Sequence, residues 1–447
     1  MPIRGIVLLT FFLVSLPVCF FLPFYGILLW TVVAFLNPQS YIWGSISFFP
    51  WAMAVAIPTL IGFPLFCRGW RNFSSPKIFL IVILWIWFTI TALISTGNPA
   101  FYHHAVDTWA RWEFVSKVLL MTVFTIAIVD SFDHLRILVL VIAGCFAVFV
   151  LMGLPFILLT HGAARLYGPE RSMIADNNDF GLALNMTLPL FFFLAQTESK
   201  RWVRRLFGFL FLVTIPAIFF TYSRGAMVGL VVLLGLMLLR LKRRLLLIPV
   251  IALGAVIAVL FAPEAWKDRM DPTNAVDASA RERFNAWTFS WNLAMDYPVA
   301  GGGFATFTPE LFARYAPVSK DIRGPHSVYF GVLAEHGFVG LLLYLTLVLS
   351  CFGTARRLVR DARLHGDQIV VAYANMFRFS LVAFLTSGMF LGRSYFDYYF
   401  TIVACLAVLE RVARREWAQS QAANQIVEEA DRDEVFLPNG GVVIEGR

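Results

Sequence analysis

Charge is what this chain has least of. Only 14% of its 447 residues are Asp, Glu, Lys or Arg, against roughly 25% in soluble globular proteins, which excludes an ordinary soluble domain. Cysteine is scarce too. Cys19, Cys67, Cys145, Cys351 and Cys405 all lie in or at the end of apolar runs, and none sits with another in a polar loop. That excludes a disulfide framework and a thiolate metal site. There is no internal repeat, and no pairing of acidic residues has the pattern of a metal site. The first apolar run has only Arg4 before it and no small-residue cleavage site, so it reads as a retained span rather than a cleaved signal peptide.

What the chain does have is apolar mass: 59% hydrophobic residues, with 45 Phe and 13 Trp. A membrane-spanning helix needs about 20 mostly apolar residues, and such runs recur at 5–21, 23–37, 50–67, 78–95, 115–130, 136–159, 180–196, 204–220, 226–240, 245–262, 327–352, 371–391 and 396–411. They predict an all-α, polytopic membrane helix bundle of 12–13 transmembrane helices with one large outward loop. The count turns on Pro23, which makes 5–21 and 23–37 either a hairpin or one kinked unit. The net charge of +8 does not point to nucleic acid, because the excess Lys and Arg fall in short clusters between apolar runs, as in cytoplasmic loops. The clusters at 68–77, 201–205, 240–244 and 356–360 therefore face the cytoplasm, and 160–179, 221–225, 264–325 and 392–395 face outward. The chain divides into bundle (1–263), outward loop with short helices (264–325), bundle (326–411) and tail (412–447). The tail turns acidic at Glu428, Glu429, Asp431, Asp433 and Glu434, and its composition predicts disorder.

The loop balances seven basic against eight acidic residues, so it is no simple basic patch. Residues 279–295 alternate at helical spacing and predict a surface helix. Gly301, Gly302 and Gly303 break it, each costing roughly 1 kcal/mol relative to alanine in a helix. Three outward features bear chemistry. In the turn at Thr221-Tyr222-Ser223-Arg224-Gly225, Arg224 either snorkels to water or turns inward to hold an anion, for which the guanidinium fork suits phosphate. In Arg281-Glu282-Arg283-Phe284-Asn285-Ala286-Trp287, Arg283 and Trp287 share a helix face. There Trp287 anchors the helix at the interface while Arg283 meets a headgroup, or the run is a solvated charge stretch; Arg281 fits the solvated reading best. In Gly324-Pro325-His326-Ser327-Val328-Tyr329, His326 falls in the first turn of a membrane helix. The helix dipole disfavours imidazolium there, leaving a neutral imidazole that serves as a general base or only satisfies a local hydrogen bond. His336, about three turns deeper, reads as a packed histidine. A fourth stretch pairs Arg165-Leu166-Tyr167-Gly168 with Asp176-Asn177-Asn178-Asp179, which caps the next span.

By this topology Arg224, Arg283 and His326 converge on one outward surface. Two guanidiniums that balance the charge of a leaving diphosphate, with one base that activates a hydroxyl, suit glycosyl transfer from a lipid-linked donor without metal or other cofactor.

The order of these elements resembles the O-antigen ligase and oligosaccharide polymerase superfamily. The shared parts are Ser223-Arg224-Gly225, Arg283 with Trp287, and His326-Ser327-Val328-Tyr329 followed by Glu335-His336-Gly337 and Gly340. Leu36-Asn37-Pro38-Gln39-Ser40-Tyr41-Ile42-Trp43-Gly44, with Arg393-Ser394-Tyr395-Phe396-Asp397, looks like the O-glycosylation ligases associated with the exosortase A system. The resemblance implies a multi-pass protein of the bacterial inner membrane with its site facing the periplasm. It implies an undecaprenyl-diphosphate-linked glycan donor and a lipid or protein acceptor. Arg224, Arg283 and His326 are the working residues it implies, with Arg165 joining the two arginines on the diphosphate and Trp287, Ser327, Tyr329 and Glu335 in support. Ser327 stands where these ligases commonly have Asn, leaving a single hydroxyl for that contact. An O-antigen polymerase shares fold and donor and differs in acceptor. A lipid-linked sugar flippase calls for polar residues deep in spans and repeated halves, and a membrane scaffold has no need of such a loop.

Overall fold

The computed structural model describes residues 3–42, 49–67, 69–240, 260, 262–270 and 272–435, and among these there is no strand. In chain order the helices are α1 (Ile3–Phe21), α2 (Pro23–Phe35), α3 (Trp51–Phe66), α4 (Pro76–Gly97), α5 (Ala105–Ile128), α6 (Phe132–Leu159), α7 (Asn177–Thr197), α8 (Arg201–Phe219), α9 (Arg224–Leu238), α10 (Glu264–Met270), α11 (Pro272–Asp296), α12 (Pro309–Tyr315), α13 (Val328–Leu364), α14 (Gln368–Gly388) and α15 (Asp397–Val435). Seven of these, α1, α4, α6, α7, α8, α13 and α14, are long and apolar enough to cross a membrane; α2, α3 and α9 are apolar but shorter. The chain is an all-α, multi-pass membrane bundle. Most of the span expected at 245–262, the residues 241–244 of one basic cluster, Arg68, Trp43, Gly44 and 436–447 lie outside the described residues.

Pro23 separates two helices rather than kinking one. Leu22 leaves the helical region (φ −128°, ψ 77°). The ring of Phe12 meets Trp51 and that of Phe20 meets Phe66, so α1 runs parallel to α3, while Gly26 of α2 faces Thr59 in the antiparallel sense. Packing here is close contact of side chains, since lipid offers apolar groups no less than a neighbouring helix does.

The two ends of the bundle are distinct. At one end Arg136 pairs with Glu198, Asn72 Nδ2 donates to Ala127 O (2.7 Å), Arg415 to Asp130 O (2.7 Å) and the Trp417 indole to Asp367 (3.2 Å). The clusters at 201–205 and 356–360 lie on helix ends here, together on one side as the sequence predicts. At the other end, the loop end, Asn37 Nδ2 donates to Glu170 O (3.1 Å), Leu166 N to Phe220 O (2.9 Å), and Thr108 Oγ1 to Phe304 O (2.8 Å). Arg4 lies beside Pro38 and Tyr41, which puts the start of α1 at the loop end as well.

Two expectations are corrected. The surface helix α11 ends at Asp296, ahead of the glycines, and the glycines dock instead on a break in α13. Gly302 N and Gly303 N donate to Ala334 O (2.8 Å) and Glu335 O (2.9 Å), and Phe338 N donates to Pro298 O (2.8 Å). The break needs Gly337, whose φ is +67° and where a Cβ would meet Val299 O at 2.4 Å. The tail, expected to be disordered from 412, continues as helix to Val435. Its Ala, Gln, Glu and Arg are strong helix formers, and Arg411 and Arg415 pin its base to carbonyls at the end of α5 and in the α5–α6 turn.

Candidate functional site

The turn that leads into α9 sets Arg224. Tyr222 takes a left-handed φ of +58°, and its hydroxyl donates to Gly162 O at 2.7 Å. Ser223 then caps the helix, its Oγ accepting from Ala226 N at 3.2 Å. Arg224 is thus the first helical residue, half-buried, and its Nε donates to Arg269 O at 3.1 Å. That carbonyl belongs to α10, which is fixed on the end of α8: the Trp266 ring stacks on Phe219 at 4.1 Å, and its Nε1 donates to Phe219 O at 3.2 Å. Arg165 stands 6.0 Å from the centroid of the Tyr222 ring. Burial lowers the pKa of Arg269, and the charges of Arg165 and Arg224 lower it further. Burial likewise lowers Arg283, with Arg224 and Arg269 adding to it. Arg269 thus lies within electrostatic reach of Arg165, Arg224 and Arg283, and Arg224 within reach of Arg283. Among the described residues no carboxylate forms an ion pair with any of them, and the buried Nε of Arg269 has no hydrogen-bond partner.

His326 does not stand in the first turn of its helix, as the sequence predicts. Ser327 is the N-cap and α13 begins at Val328, so His326 precedes the cap, in the left-handed region at φ +42°. Such a conformation costs a non-glycine residue on the order of 1 kcal/mol or more and persists only where its surroundings hold it. Here Trp287 Nε1 donates to Pro325 O (2.9 Å) while its ring stacks on Phe330 (5.1 Å). Ser394 Oγ donates to Val328 O (3.0 Å). A Cβ on Gly392 would come within 3.3 Å of both His326 N and Pro325. The neutral form of the imidazole is favoured by a cause other than the one expected: burial lowers its pKa below the ordinary 6.5, and the Arg283 charge lowers it further, against an opposing pull from Glu282. The helix dipole is not needed.

The 390–392 segment joins these two features. Gly225 abuts Phe390 and Leu391, with 3.0 Å to Phe390 Cβ for an added methyl, and Gly392 abuts the His326 turn. Residues 390–392 therefore link the start of α9 to Pro325 and His326, while Arg283 acts on His326 directly. Beyond Pro325 lies a cavity of about 560 Å³ whose wall includes Asp107, Arg111, Phe114, Phe307 and Glu335.

The other predicted residues divide cleanly. Arg283 lies near both Arg224 and His326, and Arg165 reaches this group only through Arg269 and Tyr222. Trp287 holds the His326 turn and α11 to each other, its indole N–H donating to Pro325 O. Ser327 is buried and makes no side-chain cap. Tyr329 points into the bundle, its hydroxyl on Leu385 O at 3.1 Å. Glu335 is buried; it accepts from Ala305 N at 3.1 Å and from the Tyr395 hydroxyl. His336 is packed, as expected, between Thr91 Oγ1 and Tyr395 OH, each at 2.7 Å. Asp176 caps α7 and Asp179 pairs with Arg393. Among the described residues no group of three His, Cys, Asp or Glu gathers as metal ligands. Sequence reasoning missed Arg269. It is one of seven basic loop residues, and only the fold of α10 against Phe219 brings it to Arg224; the usable signal was Trp266, three residues earlier, an aromatic able to dock a short polar helix.

Residues 207–345 match the family model described as O-antigen ligase. The matched stretch holds Arg224, Arg269, Arg283, His326 and Glu335. Residues 3–197, with Arg165, match a family of unknown function (DUF5935). No curated protein matches the chain.

Proposed function

We propose that this chain is a membrane glycosyltransferase of the ligase type, moving a glycan from an undecaprenyl-diphosphate-linked donor to an acceptor hydroxyl at the periplasmic face of the bacterial inner membrane. The observation that carries the reading is a cluster of arginines centred on Arg269, in which Arg224 and Arg283 repel it and each other, none forms an ion pair among the described residues, and His326 lies beside Arg283 with its pKa lowered by burial. Grouped like charges are unfavourable without a counterion, and a diphosphate supplies both the charge and the oxygens that guanidinium forks accept in pairs.

In the reaction, His326 takes the proton of the acceptor hydroxyl. The acceptor oxygen bonds to the anomeric carbon, and the bond from that carbon to the diphosphate oxygen breaks with its electron pair going to the diphosphate. Charge grows on the leaving group, where Arg224, Arg269 and Arg283 are already in place, and donors fixed where charge develops are the most effective kind. Arg165, at the exposed edge, meets the outer phosphate. The O-antigen ligase match over the stretch that holds most of these residues supports the same reading.

The test is transfer from a purified undecaprenyl-diphosphate glycan by the protein in membranes, with Arg224→Ala, Arg283→Ala and His326→Ala after insertion is verified. Normal transfer in all three removes the assignment. A single transfer per acceptor is the expected product; a ladder of lengths makes the enzyme a polymerase.

A further inference from the structure

We infer that the arginines gathered at Arg378, at the end of the bundle away from the loop, bind the phosphate of an anionic phospholipid. Their occupancy does not depend on the function proposed above. Three helices bring them to one level. α13 and α14 are joined by a tight turn in which Gly366 takes a φ of +70° and Asp367 N donates to Ala362 O at 2.8 Å. Arg356 precedes Gly366 by ten residues and Arg378 follows it by twelve, so at roughly 1.5 Å of rise per residue the two stand within about 3 Å of the same level. Gly225 and Gly229 of α9 abut Phe390 and Ser387, so α9 runs antiparallel to α14. From the Gly229–Ser387 contact, Arg240 lies eleven residues along α9 and past its end, and Arg378 lies nine residues back along α14, which again is about one level. Arg363 stands two turns beyond Arg356 and shares its face. Arg240, Arg356 and Arg363 accordingly all act on Arg378 through their charges. Phe379 stacks on Phe193, one turn before α7 ends at Thr197, which puts this level at the headgroups rather than in the apolar middle of the bundle.

None of the four arginines is in an ion pair among the described residues. The acidic residues beside the α13–α14 turn are taken: Asp361 pairs with Arg360 at 2.9 Å, and Asp367 accepts from Val370 N at 3.0 Å and from the Trp417 indole at 3.2 Å. After Arg240 the sequence adds Lys242, Arg243 and Arg244, and no acidic residue follows before Glu264. Arg378 itself is half-buried, and it has Asn375 Oδ1 as acceptor. A lone arginine at such a depth snorkels to water. Four within reach of one another are unfavourable without a counterion, and their guanidinium forks suit phosphate oxygens. The apolar neighbours make a lipid the carrier of that phosphate. Leu236, one turn before Arg240, is exposed, and Val382, one turn after Arg378, is half-exposed; both lie on the bilayer-centre side of the arginines. Phosphate at the rim with an acyl chain below it is the order of a phospholipid, and basic pockets between helices at a membrane surface hold anionic headgroups.

Native mass spectrometry of the full-length protein in detergent tests this, with phosphatidylglycerol and phosphatidylcholine of the same acyl chains as probes and inorganic phosphate as competitor. Phosphatidylglycerol binds at least tenfold more tightly than phosphatidylcholine, and millimolar inorganic phosphate does not displace it. Arg378→Gln and Arg356→Gln each weaken phosphatidylglycerol by about tenfold, the effect of one lost charged hydrogen bond, and leave phosphatidylcholine unchanged. Arg356 is exposed, so its variant keeps the test alive should Arg378→Gln fail to fold. Arg360→Gln, on the same helix but with its charge already met by Asp361, leaves phosphatidylglycerol binding as in the parent. Equal binding of the two lipids overturns the site. So does phosphatidylglycerol binding that survives Arg356→Gln and Arg378→Gln, or that falls as far with Arg360→Gln, which would make it attraction to basic surface in general. Displacement by inorganic phosphate gives the cluster to a soluble anion and overturns the lipid.

Discussion

At the end of the bundle away from the loop, apart from the Arg378 cluster, cations are bound into the fold. Arg136 grips Glu198 with two nitrogens, Arg411 donates to Ile126 O at 2.7 Å, Lys77 to Ser350 O at 3.2 Å and Thr354 Oγ1 at 3.0 Å, and Arg414 to Glu410 at 2.9 Å. At the loop end Arg165, Arg224 and Arg283 gather about Arg269, and Arg224 has only a backbone carbonyl. The same residue type thus does two jobs. Where each cation has its own acceptor, the arginine closes helix ends. Where cations share a site and lack acceptors, part of their binding capacity is left for something that the chain itself does not supply.

Substitutions at the two ends should separate these roles. The largest effect belongs to His326→Ala: loss of a general base slows transfer by roughly 10²–10⁴, with no change in donor binding. Arg283→Ala follows, at roughly 10²–10³ for the loss of one fixed donor to the leaving group, and Arg224→Lys retains part of the rate because a point charge replaces the fork. Transfer kinetics with donor and acceptor varied separately checks both. If Arg283→Ala transfers normally while Arg136→Ala does not, the contrast between the ends is reversed and fails.

Stability effects come next. Gly337→Ala forces a side chain into a left-handed conformation and into Val299 O, costing roughly 1–3 kcal/mol from the backbone alone; thermal unfolding in detergent reads it, and transfer falls with it because the 297–303 segment and Glu335 move. Glu198→Gln at the other end removes the buried partner of Arg136 and costs on the order of 1–3 kcal/mol. Its transfer rate per folded molecule stays that of the parent. A rate loss there without a stability loss would contradict the division.

The bundle was legible because membrane spans write themselves as apolar runs, and the gathering of basic clusters at one end because they fall between those runs. The arginine site was partly legible for the same reason: topology alone put Arg224, Arg283 and His326 on one side. Three details were not legible. Arg269 reaches the site through a tertiary contact of Trp266 with Phe219, which no local pattern encodes. The glycine triplet reads as a helix breaker, and its partner, the break at Gly337, lies more than thirty residues on. Glu335 reads as one charge in a span, and its place in a cavity depends on α5, far away in sequence. In each case the information sits in a pair of segments, and one segment viewed alone gives only half of it.

The finest contrast lies within the loop end itself, between charges that lower the pKa of His326 and charges that raise it. Transfer needs the neutral imidazole, so the rate falls as pH drops through the pKa of His326, which burial and then Arg283 hold below 6.5. Glu282 raises that pKa and Arg323 lowers it, and the two are themselves an ion pair at 3.2 Å. Glu282→Gln removes the carboxylate that favours imidazolium, and the acid limb of the rate profile moves to lower pH. Arg323→Gln removes a charge that disfavours imidazolium, and the limb moves up. Each shift amounts to a few tenths of a pH unit, since both groups lie near solvent where water and salt screen them, and both shrink as salt is raised. Limbs that move together, or not at all, would mean that the proton is taken by a group other than His326.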